Sequence, residues 1–272
     1  MTVPPALAGH HPAAAHHPAA GHHPAGRPEE ADWVPAARLL EPGSPLLRER
    51  LREFGEQMAA PRQDVAASLL LEAYAGLLAA VGFGCLLGAG VVPDLSAGNV
   101  TLRFGPGGVP DLVALAQGWD AAVGVRAGAR APRVAELGRL AEGLLDRHLG
   151  VLVARLGELR VRRGPRALWG LVANGCANAL VEAAVAAGHP PWRVHALVEA
   201  FFGLPGSPLP GPPRLLEVPT GSGTRLLRKR VSCCLFSARP GCDPCATCPV
   251  FSDEQATARA AARFRALAAG GS

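Results

Sequence analysis

The cysteines are the residues of this chain whose spacing is most informative about function. Five of the seven lie within sixteen residues, at Cys233, Cys234, Cys242, Cys245 and Cys248. An odd total and a tight cluster favour metal ligation over a framework of disulfides. The two that stand apart, Cys85 and Cys176, lie in apolar helical surroundings, where we expect inert core thiols rather than nucleophiles.

The spacing of the cluster is C-C-x10-C-x2-C, followed directly by Pro249. Four thiolates are the ligands that a 2Fe-2S cluster needs, two for each iron. Neighbouring side chains of an extended segment point to opposite sides. Cys233 and Cys234 could therefore share a cluster only if the backbone bends sharply or if they bind different irons. An ordinary zinc ribbon, with C-x2-C at both ends, fits this spacing poorly.

The cysteine segment resembles the C-terminal signature of the FhuF-type ferric siderophore reductases. Further likeness lies in the basic pair before Cys233, in Leu235, and in Leu168-Trp169-Gly170 with Asn174 of the preceding helical region. Pro93-Asp94-Leu95-Ser96 and Asn99 resemble the family's N-terminal domain more weakly. The resemblance implies a 2Fe-2S cluster on Cys233, Cys234, Cys245 and Cys248, a mostly helical N-terminal domain, and one-electron reduction of a ferric siderophore. Because the family spacing is complete without Cys242, we expect that cysteine to be a bystander.

A basic trio, Arg228-Lys229-Arg230, precedes the first cysteine. Positive charge beside a cluster of thiolates would raise its reduction potential and favour acceptance of an electron. The alternative is that the trio is a solvated strand end. Rings that could shield the site are few near the cysteines, namely Phe236 and Phe251.

Composition indicates a globular protein, and the motifs that are missing from the sequence indicate a separate electron donor. Of 272 residues, 49% are hydrophobic and 18% charged, which excludes a disordered chain. The net charge of +5 is mild for a nucleic-acid binder, and we expect no nucleic-acid partner. No Walker, flavin or nicotinamide fingerprint is present, so a separate electron donor is expected. The N-terminus has no secretory signal, which predicts a cytoplasmic protein.

The pattern of the chain predicts a mainly α fold with a few short strands (α+β). Residues 1–32 form a His/Pro/Ala-rich tail that we expect to be disordered, with solvated histidines. Residues 33–213 form a mostly helical domain, and residues 214–272 form the 2Fe-2S-binding segment with a closing helix. A half-buried strand is predicted at Asn99 to Phe104, and paired strands at Leu215 to Val218 and Thr224 to Val231.

Several helices can be located in more detail. Twenty uncharged residues, Ala73 to Val92, are long enough to span a membrane, but they include several glycines and lack flanking basic anchors. We therefore predict a buried helix, with at most peripheral contact with the inner face of the membrane. Further helices are predicted through the leucine stripe from Leu137 to Leu159, from Pro165 to Ala187 and from Pro191 to Phe202.

Single residues of these helices carry predictions of their own. His148 is expected to be a core histidine. The spacing of His195 and Glu199 is compatible with metal ligands, but we expect that pair to be structural. In the closing helix, Ser252 should be the N-cap, and Phe264 and Leu267 should lie on one face.

Two other functions remain open at this stage. The same cysteines could hold structural zinc in a binding module without redox activity, because thiolate sites accept either metal. The chain could also be a siderophore-binding or assembly domain whose cysteines only fix the C-terminus.

Overall fold

The fold is known from a computed structural model, which describes residues 32–117, 132–221 and 223–269. The predicted tail, residues 1–32, lies outside these ranges apart from Asp32, which begins a strand. Helices dominate the described chain and the strands are few and short, so the predicted fold class is confirmed. The domain boundary at residue 213 stays a prediction.

The helices carry most of the core. They are α1 Ala36–Leu39, α2 Pro45–Gln57, α3 Gln63–Ala89, α4 Val134–Ala141, α5 Gly150–Glu158, α6 Pro165–Ala186, α7 Pro191–Phe202 and α8 Asp253–Ala269. A π-helical stretch, Glu142–Leu149, joins α4 to α5. The rod from α4 to α5 buries the predicted leucine stripe, including Leu137, Leu144 and Leu152.

The long helices α3 and α6 pack against each other, and both are long and apolar enough to cross a membrane by length and composition. Their most apolar windows are 61% and 78% buried within the fold. As predicted, α3 is a buried helix. Contact is closest at Gly175 of α6, where an added Cβ would lie 2.7 Å from the backbone nitrogen of Gly76. A side chain at Gly175 would push the two helices apart.

Two small antiparallel sheets flank the helices. The first has the order β1–β2–β3, from strands Asp32–Pro35, Val100–Phe104 and Pro110–Leu115. Strand β2 has the predicted alternation, with buried Val100, Leu102 and Phe104, whereas β1 and β3 were not anticipated from the sequence.

The second sheet is the predicted hairpin, β4 Leu215–Thr220 with β5 Gly223–Arg228. It packs on α8, and their shared apolar cluster includes Val218, Ala256 and Ala260, with Phe264 packed against it. Leu267, three residues after Phe264 in α8, is 57% exposed. Ser252 and Gln255 exchange the reciprocal bonds of the predicted N-cap, since each backbone N–H donates to the other's side chain.

His148, in the π-helical stretch, is a core histidine as predicted, with no exposed surface. Its Nδ1 lies 2.8 Å from the carbonyl oxygen of Leu95 and its Nε2 lies 2.7 Å from the hydroxyl of Tyr74. A carbonyl can only accept, so Nδ1 carries the proton and Nε2 accepts the bond from Tyr74. Burial lowers the pKa of His148 to about 4, and the ring is neutral.

Candidate metal centre

The paired cysteines lie at a sharp bend directly after β5. Leu235 has φ +60°, in the left-handed region that side chains rarely adopt. Its backbone N–H donates to the Sγ of Cys233 at 3.4 Å, and a short 3-10 turn, Phe236–Ala238, follows. The chain thus reverses within two residues of Cys234 and returns toward Cys245 and Cys248.

The bend brings Cys234 and Cys245 together, with their Sγ atoms 3.7 Å apart. Two thiolates on one tetrahedral metal, with bonds of about 2.3 Å, lie about 3.8 Å from each other. The observed separation is close to that value, so these two thiols could bind one metal ion. A tight turn, closed by the Cys248 N–H donating to the Cys245 carbonyl at 2.9 Å, brings Cys248 beside them.

Cys248 lies near both members of the adjacent pair. Its pKa is raised, first by burial and then by the charges of Cys233 and Cys234. The bend therefore gathers Cys233, Cys234, Cys245 and Cys248 in one region of the fold. Within the described ranges, no three His, Cys, Asp or Glu side chains converge on a single ion position.

A buried ion network lies behind the cysteines. Glu72 of α3 binds both Arg228 and Arg230, with 3.2 Å between Oε1 of Glu72 and the terminal nitrogen of Arg228. The side chains of Glu72, Arg228 and Arg230 are 3%, 6% and 4% exposed. The solvated strand end considered for the basic trio is therefore wrong for both arginines. Lys229 points the other way, and its ammonium binds Asp253 and the Phe251 carbonyl, each at 2.7 Å.

The charges of this network act on the cysteines. Burial, together with the charge of Arg230, lowers the pKa of Arg228 to about 10, so it remains a cation at neutral pH. Burial also disfavours the charged form of Arg230. The negative charges of Glu72, Cys234 and Cys245 outweigh this effect and hold the pKa of Arg230 above its ordinary value. The pKa of Cys245 is lowered to about 7, chiefly by the hydrogen bond from Cys234, with Arg230 contributing.

Helix α6 fixes the cysteine hairpin in place. Asn174 donates from Nδ2 to the carbonyl of Ser232 and accepts from the N–H of Val231, both at 2.9 Å. Its own carbonyl accepts from Nε of Arg228 at 2.7 Å. Gly170 lies so close that an added Cβ would be 2.6 Å from the Cβ of Ser232. Gly170 and Asn174, noted above for their resemblance, therefore both contact the segment that carries the cysteines.

The remaining candidates are not drawn into the site. The thiol of Cys242 makes no hydrogen bond to the other four cysteines in the described chain, and its bystander role stays a prediction. Burial raises the pKa of Cys85 to about 11 and that of Cys176 to about 12, as expected of inert thiols. His195 and Glu199 form no ion pair within the same residues. Phe236 and Phe251 each lie beneath a guanidinium, of Arg239 and Arg259.

Sequence reasoning missed Glu72 as a site residue. The only signal was its position as the sole charged residue between Val65 and Ala89 of the apolar helix α3. A lone carboxylate inside a buried helix requires a cationic partner, and the sequence does not show which arginines supply it.

The chain matches one protein-family model, described as "Ferric iron reductase FhuF-like transporter", over residues 68–202. The matched range begins in α3, includes Glu72 and Asn174, and ends with α7. The cysteine segment follows it and is not covered. No curated protein matches the chain significantly.

Proposed function

The chain belongs to the FhuF-like ferric iron reductase family, and on this premise we propose that it is a cytoplasmic 2Fe-2S protein that reduces ferric siderophores and so releases Fe(II). The cluster would be held by Cys233, Cys234, Cys245 and Cys248. When bound, it would gain and lose one electron. The close approach of the Cys234 and Cys245 thiols, 3.7 Å apart, supports the proposal, because each iron of a 2Fe-2S cluster takes two cysteine ligands.

The observation that carries the proposal is the pair of buried arginines beside Cys234 and Cys245. Arg228 and Arg230 bring two positive charges and Glu72 one negative charge, so the network has a net charge of about +1 at neutral pH. The charge is buried, and salt therefore screens it little. A site of four thiolates that receives an additional electron becomes more negative, and the arginines favour that state.

Reduction of a ferric siderophore requires few chemical groups from the chain. Siderophores hold Fe(III) through hard oxygen donors far more tightly than Fe(II), and one electron therefore loosens the metal. No covalent bond has to break, and the reaction needs no general acid, base or nucleophile. The chain has to hold its redox site near the surface, offer a surface to the substrate, and receive electrons from a separate donor.

Two serine variants test the proposal. Wild-type protein, prepared without air, should absorb visible light and bleach with dithionite, and the reduced protein should convert a ferric siderophore to Fe(II). Cys245→Ser removes a ligand from the tight pair and should abolish both properties. Cys242→Ser is the matched control from the same loop and should preserve both. Equal siderophore reduction by wild type and Cys245→Ser would refute the proposal.

The rival functions give different results. A structural zinc module would be colourless and would contain zinc in place of iron and sulfide. A siderophore-binding or assembly domain without redox activity would bind the ferric chelate, and its Cys245→Ser variant would bind it equally well.

A further inference from the structure

The loop between α5 and α6, together with the first turn of α6, carries a run of arginines with the sequence R-V-R-R-G-P-R, from Arg160 to Arg166, which we call the arginine loop. The side chains of Arg160, Arg162 and Arg166 are exposed. Within the described ranges none of these three forms an ion pair or a side-chain hydrogen bond. The loop is therefore a strongly positive surface that the fold itself leaves uncompensated.

This arginine loop borders the cysteine hairpin. Arg163 donates from its guanidinium to the carbonyl of Cys233 at 2.7 Å. Ala167, next to Arg166, accepts a hydrogen bond from the Ser232 hydroxyl at 3.1 Å. The loop also leads into the N-terminus of α6, whose dipole adds positive potential. The positive surface thus lies directly against one of the proposed ligands.

Exposed apolar side chains lie next to the same cysteines. Val231 is 37% exposed and Val250 is 69% exposed; the first precedes Cys233 by two residues and the second follows Cys248 by two. Apolar residues bordered by arginine are typical of protein–protein contact surfaces. Of the nearby carboxylates, Glu158 already binds Arg155, and Asp243 is the one acidic residue of the cysteine spacer.

We infer that the arginine loop, with Val231 and Val250, is the docking surface for a small acidic electron-carrier protein that supplies the electron. The inference rests on the proposed function. One electron passes from the reduced carrier, which is oxidised, to the cysteine site, and then to Fe(III), which becomes Fe(II); no proton moves and no covalent bond forms. Charge complementarity points to an acidic partner, and the length of the arginine run suits a protein surface better than a single chelate.

The test compares wild type with the triple variant Arg160→Gln, Arg162→Gln, Arg166→Gln. The probe is an acidic plant-type 2Fe-2S ferredoxin, and the full chain carries its cluster. Binding of the two oxidised proteins is measured by calorimetry, and reduction by the ferredoxin is followed by stopped flow, each at low and high salt. At low salt the variant should bind the ferredoxin about tenfold or more weakly than wild type, and the ferredoxin should reduce it about tenfold or more slowly. The salt dependence of both the affinity and the rate should flatten.

The matched control removes three arginines from α4 and its N-cap and from α7: Arg133→Gln, Arg139→Gln and Arg193→Gln. It carries the same change in net charge and should bind and accept electrons from the ferredoxin as wild type does. Reduced methyl viologen, a small cation, should reduce all three proteins at one rate. That rate shows that the cluster is intact in each variant.

Two results would overturn the docking surface. In the first, the triple variant binds the ferredoxin and is reduced as rapidly as wild type. In the second, the triple variant reacts normally with the ferredoxin but transfers its electron slowly to a ferric siderophore, which would assign the loop to the substrate. Failure of the proposed function gives a different result. In that case wild type binds the ferredoxin in a salt-dependent way that the triple variant has lost, yet wild type reduces no siderophore. This result would support the docking surface and refute the function.

Discussion

Replacing Glu72 by Gln should destabilise the protein more than any surface change. The carboxylate is 3% exposed and lies between two guanidinium groups that are nearly as buried. The amide of Glu72→Gln keeps the shape but leaves Arg228 and Arg230 as uncompensated cations that repel each other. Removing one partner of a buried ion pair costs about 3–5 kcal/mol, a large share of a typical stability of about 5–15 kcal/mol.

The assay is urea unfolding of the cluster-free chain, followed by circular dichroism. Glu56→Gln is the control, since Glu56 binds Arg52 and their side chains are 65% and 59% exposed. Exposed pairs contribute at most about 1 kcal/mol. The double variant Glu72→Gln, Arg230→Met should be less destabilised than the sum of its single changes, by about 1–3 kcal/mol. A loss below about 1 kcal/mol for Glu72→Gln, no greater than for Glu56→Gln, would refute the reasoning.

Two further predictions concern the packing of the helical domain. The pKa of His148 falls from 6.5 in the unfolded chain to about 4 in the fold. Its contribution to stability is therefore complete above pH 6.5 and is lost as the pH falls toward 4, up to about 3 kcal/mol. His148→Gln should flatten that part of the pH profile of unfolding, and an unchanged slope would contradict the assignment. Gly175→Ala should cost about 1–3 kcal/mol by overpacking against Gly76, whereas Gly157→Ala, with nothing within 4 Å, should be neutral or stabilising; equal unfolding midpoints for the two variants would count against the close approach of α3 and α6.

The helices were predictable because their signals are local. Pro165 and Pro191 begin α6 and α7, and Gly203 follows the end of α7. Strand β3 was missed because it begins at Pro110, and a proline weakens the strand signal of its segment. Strand β1 was missed because it has only four residues and pairs with β2 about seventy positions away. Strand propensity alone does not carry such long-range information.

The candidate site also has parts that local sequence signals predict and parts that depend on long-range contacts. Spacing singled out the four cysteines, and a resemblance in Asn174 and Gly170 marked the helix that holds them. Glu72 could not be paired from the sequence, because 156 positions separate it from Arg228.

The directions of the side chains of Arg228, Lys229 and Arg230 could be predicted in part. In an extended segment alternate side chains share a side, so Arg228 and Arg230 should face one way and Lys229 the other. The structure has this arrangement, with Arg228 and Arg230 on Glu72 and Lys229 on Asp253. Which of the two directions leads to the cysteines depends on tertiary packing.

The measurement that tests the central claim most directly is the iron and acid-labile sulfide content of the chain purified without air. The account predicts about two irons and about two sulfides for each chain, retained in Cys242→Ser and lost in Cys245→Ser. A chain that contains no sulfide after anaerobic reconstitution, or that contains zinc in its place, would contradict it.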